Sequence, residues 1–152
     1  MTTLFITGLS GVGKSSTLRE METRGYHTVD LDFDYMKIVN GERLIDEMKL
    51  QNLIDFHDND KLIIAGTESN QGKFYDQFEA VILLTADLEV MLDRIEKRTN
   101  NPYGKSAEEK ADIIQNHKHI LPLLKKNATQ IIDTGNKSVQ EICDQLENNY
   151  FN

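Results

Sequence analysis

The chain has 152 residues, 39% of them hydrophobic, which suits one domain with a buried core. Its formal net charge of −8 and the lack of a basic stretch argue against nucleic acid or an anionic membrane surface as a partner. Cys143 is the only cysteine, no apolar run approaches the ~20 residues of a membrane span, and no secretory leader is visible, so we expect a cytoplasmic protein without internal disulfides.

Apolar runs and helical periodicities alternate along the first half of the chain. The sequence predicts strands at residues 4–7, 26–30 and 61–65, with a helix at 14–24 after the first strand. The stretch 36–56 is predicted to be helical with an interruption at its Asn-Gly pair, and a polar turn is expected directly after it, at 57–60.

The second half of the chain continues this alternation. Strands are predicted at residues 80–85 and 130–133. Apolar residues recur at spacings of three and four after Asp87, which predicts a helix with one apolar face and Asp87 as its N-cap. Ser106 and Ser138 each begin the pattern of a capping box and open a further helix. Strands that alternate with helices predict an α/β fold, with a mostly parallel sheet covered on both faces.

The stretch GLSGVGKS, residues 8–15, matches the P-loop pattern G-x-x-x-x-G-K-[S/T] between a predicted strand and a predicted helix. Its glycines let backbone amides approach an anion, and the following helix directs its N-terminal amides to the same place. Lys14 would reach the outer phosphates of a nucleotide, and the Ser15 hydroxyl would hold Mg²⁺. The residues predicted here to bind nucleotide are Gly8, Ser10, Gly11, Val12, Gly13, Lys14, Ser15 and Ser16.

Three aspartates, Asp30, Asp32 and Asp34, follow the second predicted strand. If the segment is extended, their spacing of two places all three carboxylates on one side. In a phosphoryl-transfer site one carboxylate holds Mg²⁺ through water and another accepts the proton of the attacking hydroxyl. The alternative is a solvated acidic turn.

Arg94 and Arg98 lie four residues apart on one face of a predicted helix. They lead into the loop 98–106, whose Asn, Pro and Gly residues are typical of a flap. Arginines that close over a triphosphate stabilise transition-state charge and exclude water. The alternative is a solvated helix end whose basic residues complement the helix dipole.

Two features argue against a motor ATPase or a GTPase. The third predicted strand is followed by Gly66 and Thr67, with no acid until Glu68. The sequence Asn-Lys-Ser-Val at 136–139 has valine where the guanine-binding N-K-x-D pattern requires aspartate.

The P-loop, the aspartates, the R-x-x-x-R pair and the NPYGK flap together resemble the nucleoside monophosphate kinase and shikimate kinase superfamily, and more closely its small bacterial kinase-like ATP-binding proteins. The resemblance covers the chain, 1–152, as one domain. It implies a three-layer α/β/α P-loop fold with strand order 2-3-1-4-5, Mg-ATP as donor and a lid at about 98–106.

The resemblance also implies roles for single residues. It implies that Arg94 packs on adenine, that Arg98 contacts phosphates, and that the loop after the fifth strand contacts adenine through Thr134, Gly135 and Asn136. It matches Asp30 and Asp32 to the magnesium and acceptor pair, although Asp32 and Asp34 fit the same spacing.

The region predicted to bind the acceptor, about 32–60 and the loop after the third strand, departs from both kinases. It lacks the arginines that hold an acceptor phosphate, apart from Arg43, and it lacks a triple-glycine run. Hydroxyl and amide groups replace them. The predicted acceptor-binding residues are Asp32, Asp34, Arg43, Gly66, Thr67, Ser69 and Asn70, and the predicted catalytic residues are Lys14, Asp30, Asp32, Arg94 and Arg98.

These residues predict an ATP-dependent phosphotransferase that acts on a hydroxyl-bearing metabolite or on a nucleoside or nucleotide. Two alternatives stay open. One is an ATP-binding sensor or adaptor without turnover, and the other is a plain NTPase, which the missing strand-end acid disfavours.

Overall fold

The computed structural model describes residues 2–58 and 60–151, in which strands alternate with helices; Asn59, in the predicted turn, lies outside them. The first part contains β1 (Thr2–Thr7), α1 (Lys14–Thr23), β2 (His27–Asp30), β3 (Met36–Val39), β4 (Glu42–Ile45), α2 (Glu47–Phe56) and β5 (Lys61–Ala65). The second part contains a 3-10 helix (Gln71–Gln77), β6 (Ala80–Thr85), α3 (Leu88–Lys97), α4 (Ala107–His119), α5 (Leu121–Asn127), β7 (Gln130–Asp133) and α6 (Val139–Tyr150).

The central sheet has the strand order β2-β5-β1-β6-β7, and its neighbours are all parallel. Ile6 of β1 lies beside Ala65 on one side and Ile82 on the other. Numbered without the hairpin described below, this is the order 2-3-1-4-5, so the predicted fold is confirmed. Because the strands are parallel, the loops that follow β1, β2, β5 and β7 meet at one edge of the sheet.

Hydrophobic side chains cover both faces of the sheet, which explains the continuous apolar runs in its strands. Alternate residues of β1 point to opposite faces, so Leu4 and Ile6 join one buried cluster and Phe5 joins the other. The first cluster packs under α1, α3 and α6, and the second packs under α2 and the 3-10 helix. The layers are therefore helix, sheet and helix.

The prediction of a helix over residues 36–56 is wrong for its first part. Strands β3 and β4 form an antiparallel hairpin in which Met36 lies beside Ile45. The turn consists of Asn40 and Gly41, both with positive φ (53° and 80°), as a two-residue hairpin turn requires. The Asn-Gly pair was thus a hairpin signal and not a helix interruption. The helical part begins at Glu47, behind the N-cap Asp46.

The predicted helix ends differ in detail. At α6 the Ser138 and Glu141 side chains form the complete capping box. At α4 the Ser106 side chain accepts from the Glu109 amide, but the Glu109 carboxylate accepts from the Gly104 amide instead. Asp87 precedes α3 without a side-chain cap bond. In the described part of the chain, we find no helix with the length and apolarity needed to cross a membrane.

Candidate active site

The P-loop joins β1 to α1 and bends through three glycines with positive φ. Gly8, Gly11 and Gly13 have φ of 154°, 84° and 100°. A Cβ on Gly8 would lie 2.6 Å from the Leu84 carbonyl oxygen, and one on Gly11 would lie 2.8 Å from that of Met91. The loop therefore keeps its backbone close to β6 and α3. Together with the N-terminus of α1 it forms a cradle of amides suited to an anion.

Lys14 is the first residue of α1, and its ammonium lies over the loop. Its Nζ donates to the carbonyl oxygens of Gly8 and Leu9, the latter at 3.2 Å. Burial lowers the pKa of Lys14 to about 8, although the carboxylates of Asp32 and Asp30 act in the opposite direction. The ammonium is thus poised to exchange carbonyl partners for phosphate oxygens.

Two cavities meet at the P-loop, one of about 910 Å³ and one of about 510 Å³. Ser10, Lys14, Ser15 and Asp32 line both. The smaller cavity continues along α3 and carries the basic side chains Arg94, Lys97 and Arg98. The larger cavity opens toward β2 and the hairpin, where Asp30, Arg43, Thr67 and Glu68 line it. This arrangement suits a donor phosphate chain on one side of the P-loop and an acceptor on the other.

The chain turns after β2, so the three aspartates do not share one side. The Asp32 amide donates to Asp30 Oδ1 at 3.0 Å, and the Phe33 amide donates to the Asp30 carbonyl at 3.1 Å. Asp30 and Asp32 line the larger cavity, whereas Asp34, with φ of 71°, lines neither cavity. The extended spacing assumed for Asp34 is therefore wrong. Burial raises the pKa of the Asp30 carboxyl.

Arg43 extends from β4 across the larger cavity and bridges two carboxylates. Its Nη1 lies 3.4 Å from Asp32 Oδ1 and 3.4 Å from Glu68 Oε1. Burial raises the pKa of the Glu68 carboxyl. Sequence reasoning did not place Glu68 in the site, although an acid just after a buried parallel strand was a usable signal. It also missed Phe33 and Glu22, which line the same cavity and follow no motif.

The loop after β5 supports the site more than it lines it. The Thr67 hydroxyl lines the larger cavity and donates to the Gly8 carbonyl at 2.6 Å. The Asn70 side chain instead pairs with the backbone of Ile45, through two hydrogen bonds of 3.1 Å. Gly66, Ser69 and Asn70 line neither cavity. Among the residues of this loop that are predicted to bind the acceptor, Thr67 alone lines a cavity.

Arg94 joins the P-loop to the loop after β7. It donates to the Thr134 hydroxyl at 2.9 Å, to the Thr134 carbonyl at 2.7 Å and to the Gly11 carbonyl at 3.2 Å. The Thr134 hydroxyl donates in turn to the Val12 carbonyl at 2.8 Å. Gly135 and Asn136 line neither cavity. The structure thus places Arg94 beside the smaller cavity as a clamp on the P-loop.

The loop between α3 and α4 contains the predicted lid, 98–106, and it folds over Arg98. The Arg98 guanidinium donates to the carbonyl oxygens of Asn101 (3.1 Å) and Tyr103 (2.6 Å), and burial lowers its pKa. Gly104 has φ of 95°, and a Cβ there would lie 2.6 Å from Ile113 Cδ1. Asn101 lines both cavities. The tight packing at Gly104 anchors one end of this loop.

The oxygen donors near the P-loop suit Mg²⁺. The Ser15 hydroxyl and the Asp30 carboxylate line the same cavity. The described residues contain no group of three or more His, Cys, Asp or Glu side chains that could hold a metal ion. Mg²⁺ takes few protein ligands and retains water and phosphate oxygens, so this sparse donor set fits it.

Comparison with known proteins agrees with this geometry. Residues 4–115 match the family model described as an AAA domain. A nucleotide-binding protein of Syntrophomonas wolfei is 30% identical over 156 residues, which cover 97% of this chain and 51% of the relative. The chain spans about half the length of the curated relatives it matches.

The solved structures that resemble the chain share its fold. A shikimate kinase from Acinetobacter baumannii in complex with shikimate has a TM-score of 0.68 at 17% identity, covering 96% of this chain and 90% of its own. A shikimate kinase from Bacteroides thetaiotaomicron has a TM-score of 0.68 at 16% identity, covering 97% of both chains. These comparisons show that the chain shares the fold of these two kinases.

Proposed function

The chain belongs to the AAA domain family, and we propose that it is a Mg-ATP-dependent phosphotransferase that moves the γ-phosphate of ATP to a hydroxyl-bearing small molecule. The observation that carries this proposal is the meeting of two cavities at Lys14, Ser15 and Asp32. A plain NTPase needs a site for nucleotide and water alone. A second cavity of about 910 Å³ beside the same P-loop provides room for an acceptor.

In this mechanism the smaller cavity holds the phosphate chain. Lys14, Lys97 and Arg98 neutralise the charge on the phosphate oxygens, and the P-loop amides orient them. Ser15 and Asp30 are the residues that would hold Mg²⁺, which would supply positive charge that stabilises the phosphate oxygens in the transition state. Arg94 acts through its hydrogen bonds to Thr134 and Gly11, which hold the loop in place.

Asp32 is the proposed general base, because it is the carboxylate that lines both cavities in the described residues. It accepts the proton of the acceptor hydroxyl as the acceptor oxygen bonds to the γ-phosphorus. The bond from that phosphorus to the bridging oxygen of ADP breaks, and ADP leaves with the electron pair. The loop that includes Asn101 and Tyr103 excludes water, which would otherwise compete as acceptor.

The test measures ADP release from Mg-ATP by the purified protein, with and without pooled metabolites. We expect ADP to rise when the pool contains an acceptor. Asp32→Asn should lower the acceptor-dependent rate by about 100-fold or more, since it removes the base and leaves the shape. Asp76→Asn, an exposed aspartate of the 3-10 helix, is the matched control and should retain the rate of the original protein.

A second candidate is a sensor that binds Mg-ATP without turnover, favoured by the curated relatives being named as nucleotide-binding proteins. Bound ATP with no ADP from any pool would support the sensor and contradict the kinase. Equal ADP release with and without the pools would instead identify hydrolysis as the activity.

A further inference from the structure

The charged side chains divide sharply between the two cavities. Those that line only the smaller cavity are all basic in the described chain, namely Arg94, Lys97 and Arg98. Those that line only the larger cavity are the acids Glu22, Asp30 and Glu68 and a single base, Arg43. Lys14, Arg19 and Asp32 line both. The smaller cavity, where we propose that the phosphate donor binds, thus carries cations. The larger cavity, proposed for the acceptor, carries more carboxylates than cations among the residues that line it alone.

Arg43 is not free to bind an anionic ligand, because it already faces two carboxylates. Its Nη1 lies 3.4 Å from both Asp32 Oδ1 and Glu68 Oε1, and its Nη2 donates to the Asp32 carbonyl at 3.2 Å. An anionic acceptor would have to displace these partners to reach the guanidinium. It would also lie in the same cavity as Glu22, where like charges repel.

A cationic acceptor would be attracted to the carboxylates that would repel an anion. Burial raises the pKa of the Glu68 carboxyl, which lines this cavity, so a positive charge beside it would relieve the cost of its desolvation. Phe33 lines the cavity, and its side chain is largely solvent-exposed (72%) although it is apolar. An aromatic face at the entrance of an acidic cavity is suited to an ammonium group through a cation–π contact.

We infer that the phosphoryl acceptor is an amine-bearing hydroxyl compound, an amino alcohol or amino sugar, and not a carboxylate or phosphate ester. This inference rests on the proposed kinase activity and specifies its substrate class. The acceptor hydroxyl remains the nucleophile and gives its proton to Asp32. The ammonium keeps its protons and is held by Glu68, with Glu22 adding to the negative potential of the cavity.

The test separates a metabolite extract at neutral pH into cation-retained, anion-retained and neutral fractions. Each fraction is assayed for acceptor-dependent ADP release. Activity in the cation-retained fraction is the expected result. Activity that resides in the anion-retained or the neutral fraction would overturn the amine assignment while leaving the kinase proposal intact. No activity in any fraction, with ATP bound, would overturn the proposed function and this inference with it.

A variant pair tests the assigned anchor with the active fraction. Glu68→Gln should raise the KM for the acceptor by about tenfold or more with little change in the KM for ATP, because the acceptor side loses one carboxylate. Glu96→Gln, an exposed glutamate of α3 that lines neither cavity, should change neither constant. An unchanged acceptor KM in Glu68→Gln would contradict the role given to Glu68. Circular dichroism of both variants shows whether the fold is retained.

Discussion

Lys14 shows how the folded P-loop changes the pKa of a single side chain. The motif predicts a lysine near the outer phosphates, but the burial that lowers its pKa to about 8 is a property of the folded loop. In the free protein the ammonium therefore loses its proton within an accessible pH range. The charged form of Lys14 is the one that binds phosphate oxygens.

We predict that ATP affinity weakens as the pH rises above about 8, because binding must then restore the proton that Lys14 has lost. The Kd should increase by up to about tenfold per pH unit until the pKa of the bound form is reached. Isothermal titration between pH 7 and 10 measures this dependence. Lys14→Arg keeps its charge over that range, so its Kd should stay flat if it still binds; an equal slope in this variant would contradict the assignment.

Arg94 illustrates what residue spacing leaves undecided. The spacing to Arg98 placed both arginines on one helix face, and the resemblance assigned Arg94 to adenine. In the fold its guanidinium contacts Thr134 and Gly11, from two loops more than 80 residues apart in the chain. Such contacts depend on where β7 ends relative to the P-loop, which no local pattern contains.

The hairpin of β3 and β4 borders the larger cavity, in which we propose that the acceptor binds. It carries Arg43, and it is tied to the rest of the fold through the Asn70 side chain. The two hydrogen bonds to the backbone of Ile45 hold the hairpin against the loop after β5. Ile45 itself is completely buried in the cluster beneath α2.

We predict that Asn70→Ala lowers the free energy of unfolding by about 1–3 kcal/mol, because it removes the partner of a backbone donor and acceptor. It should also raise the KM for the acceptor more than the KM for ATP, since the hairpin loses its anchor. Urea denaturation and steady-state kinetics measure the two effects. Asn52→Ala, at an exposed position of α2, should change neither, and an ATP-specific defect in Asn70→Ala would contradict this role for the hairpin.

The molecule as a whole is stabilised by the two clusters that cover the parallel sheet. Strand β6 lies between β1 and β7, and Ile82 at its centre is completely buried. Ile131 of β7, the edge strand, has the same side chain but is 47% exposed. Ile82 and Ile131 therefore differ in burial but not in the chemistry of the side chain.

We predict that Ile82→Ala lowers the free energy of unfolding by about 2–5 kcal/mol, as removal of a buried aliphatic side chain does. Ile131→Ala should lower it by about 1 kcal/mol or less. Urea denaturation of both variants at one pH tests the difference. Equal losses would show that the edge strand is covered in solution and not exposed as in the structure.

The sequence by itself determined the α/β architecture, the strand order through its resemblance, and the P-loop. The strands and the P-loop are local features, because a buried strand needs an apolar run and a phosphate loop needs glycines at set spacings. The hairpin is also within reach of the sequence, since Asn40-Gly41 is a turn signal, although the prediction of a helix over 36–56 overlooks it. Asp34 was misplaced because the chain turns after Asp30, and this turn depends on hydrogen bonds that alternation does not reveal.

The tertiary structure alone decided how the charges are grouped. Glu22 of α1, Glu68 after β5 and Arg43 of β4 lie far apart in the sequence and follow no shared motif. Glu68 lies in a loop at the carboxyl end of a parallel strand, and the hairpin brings Arg43 to that loop. Glu22 reaches the cavity because α1 packs beside β2, where its carboxylate accepts from the Thr28 hydroxyl. The division into a basic smaller cavity and a more acidic larger cavity therefore arises from chain topology. Composition, with its overall charge of −8, could not reveal it.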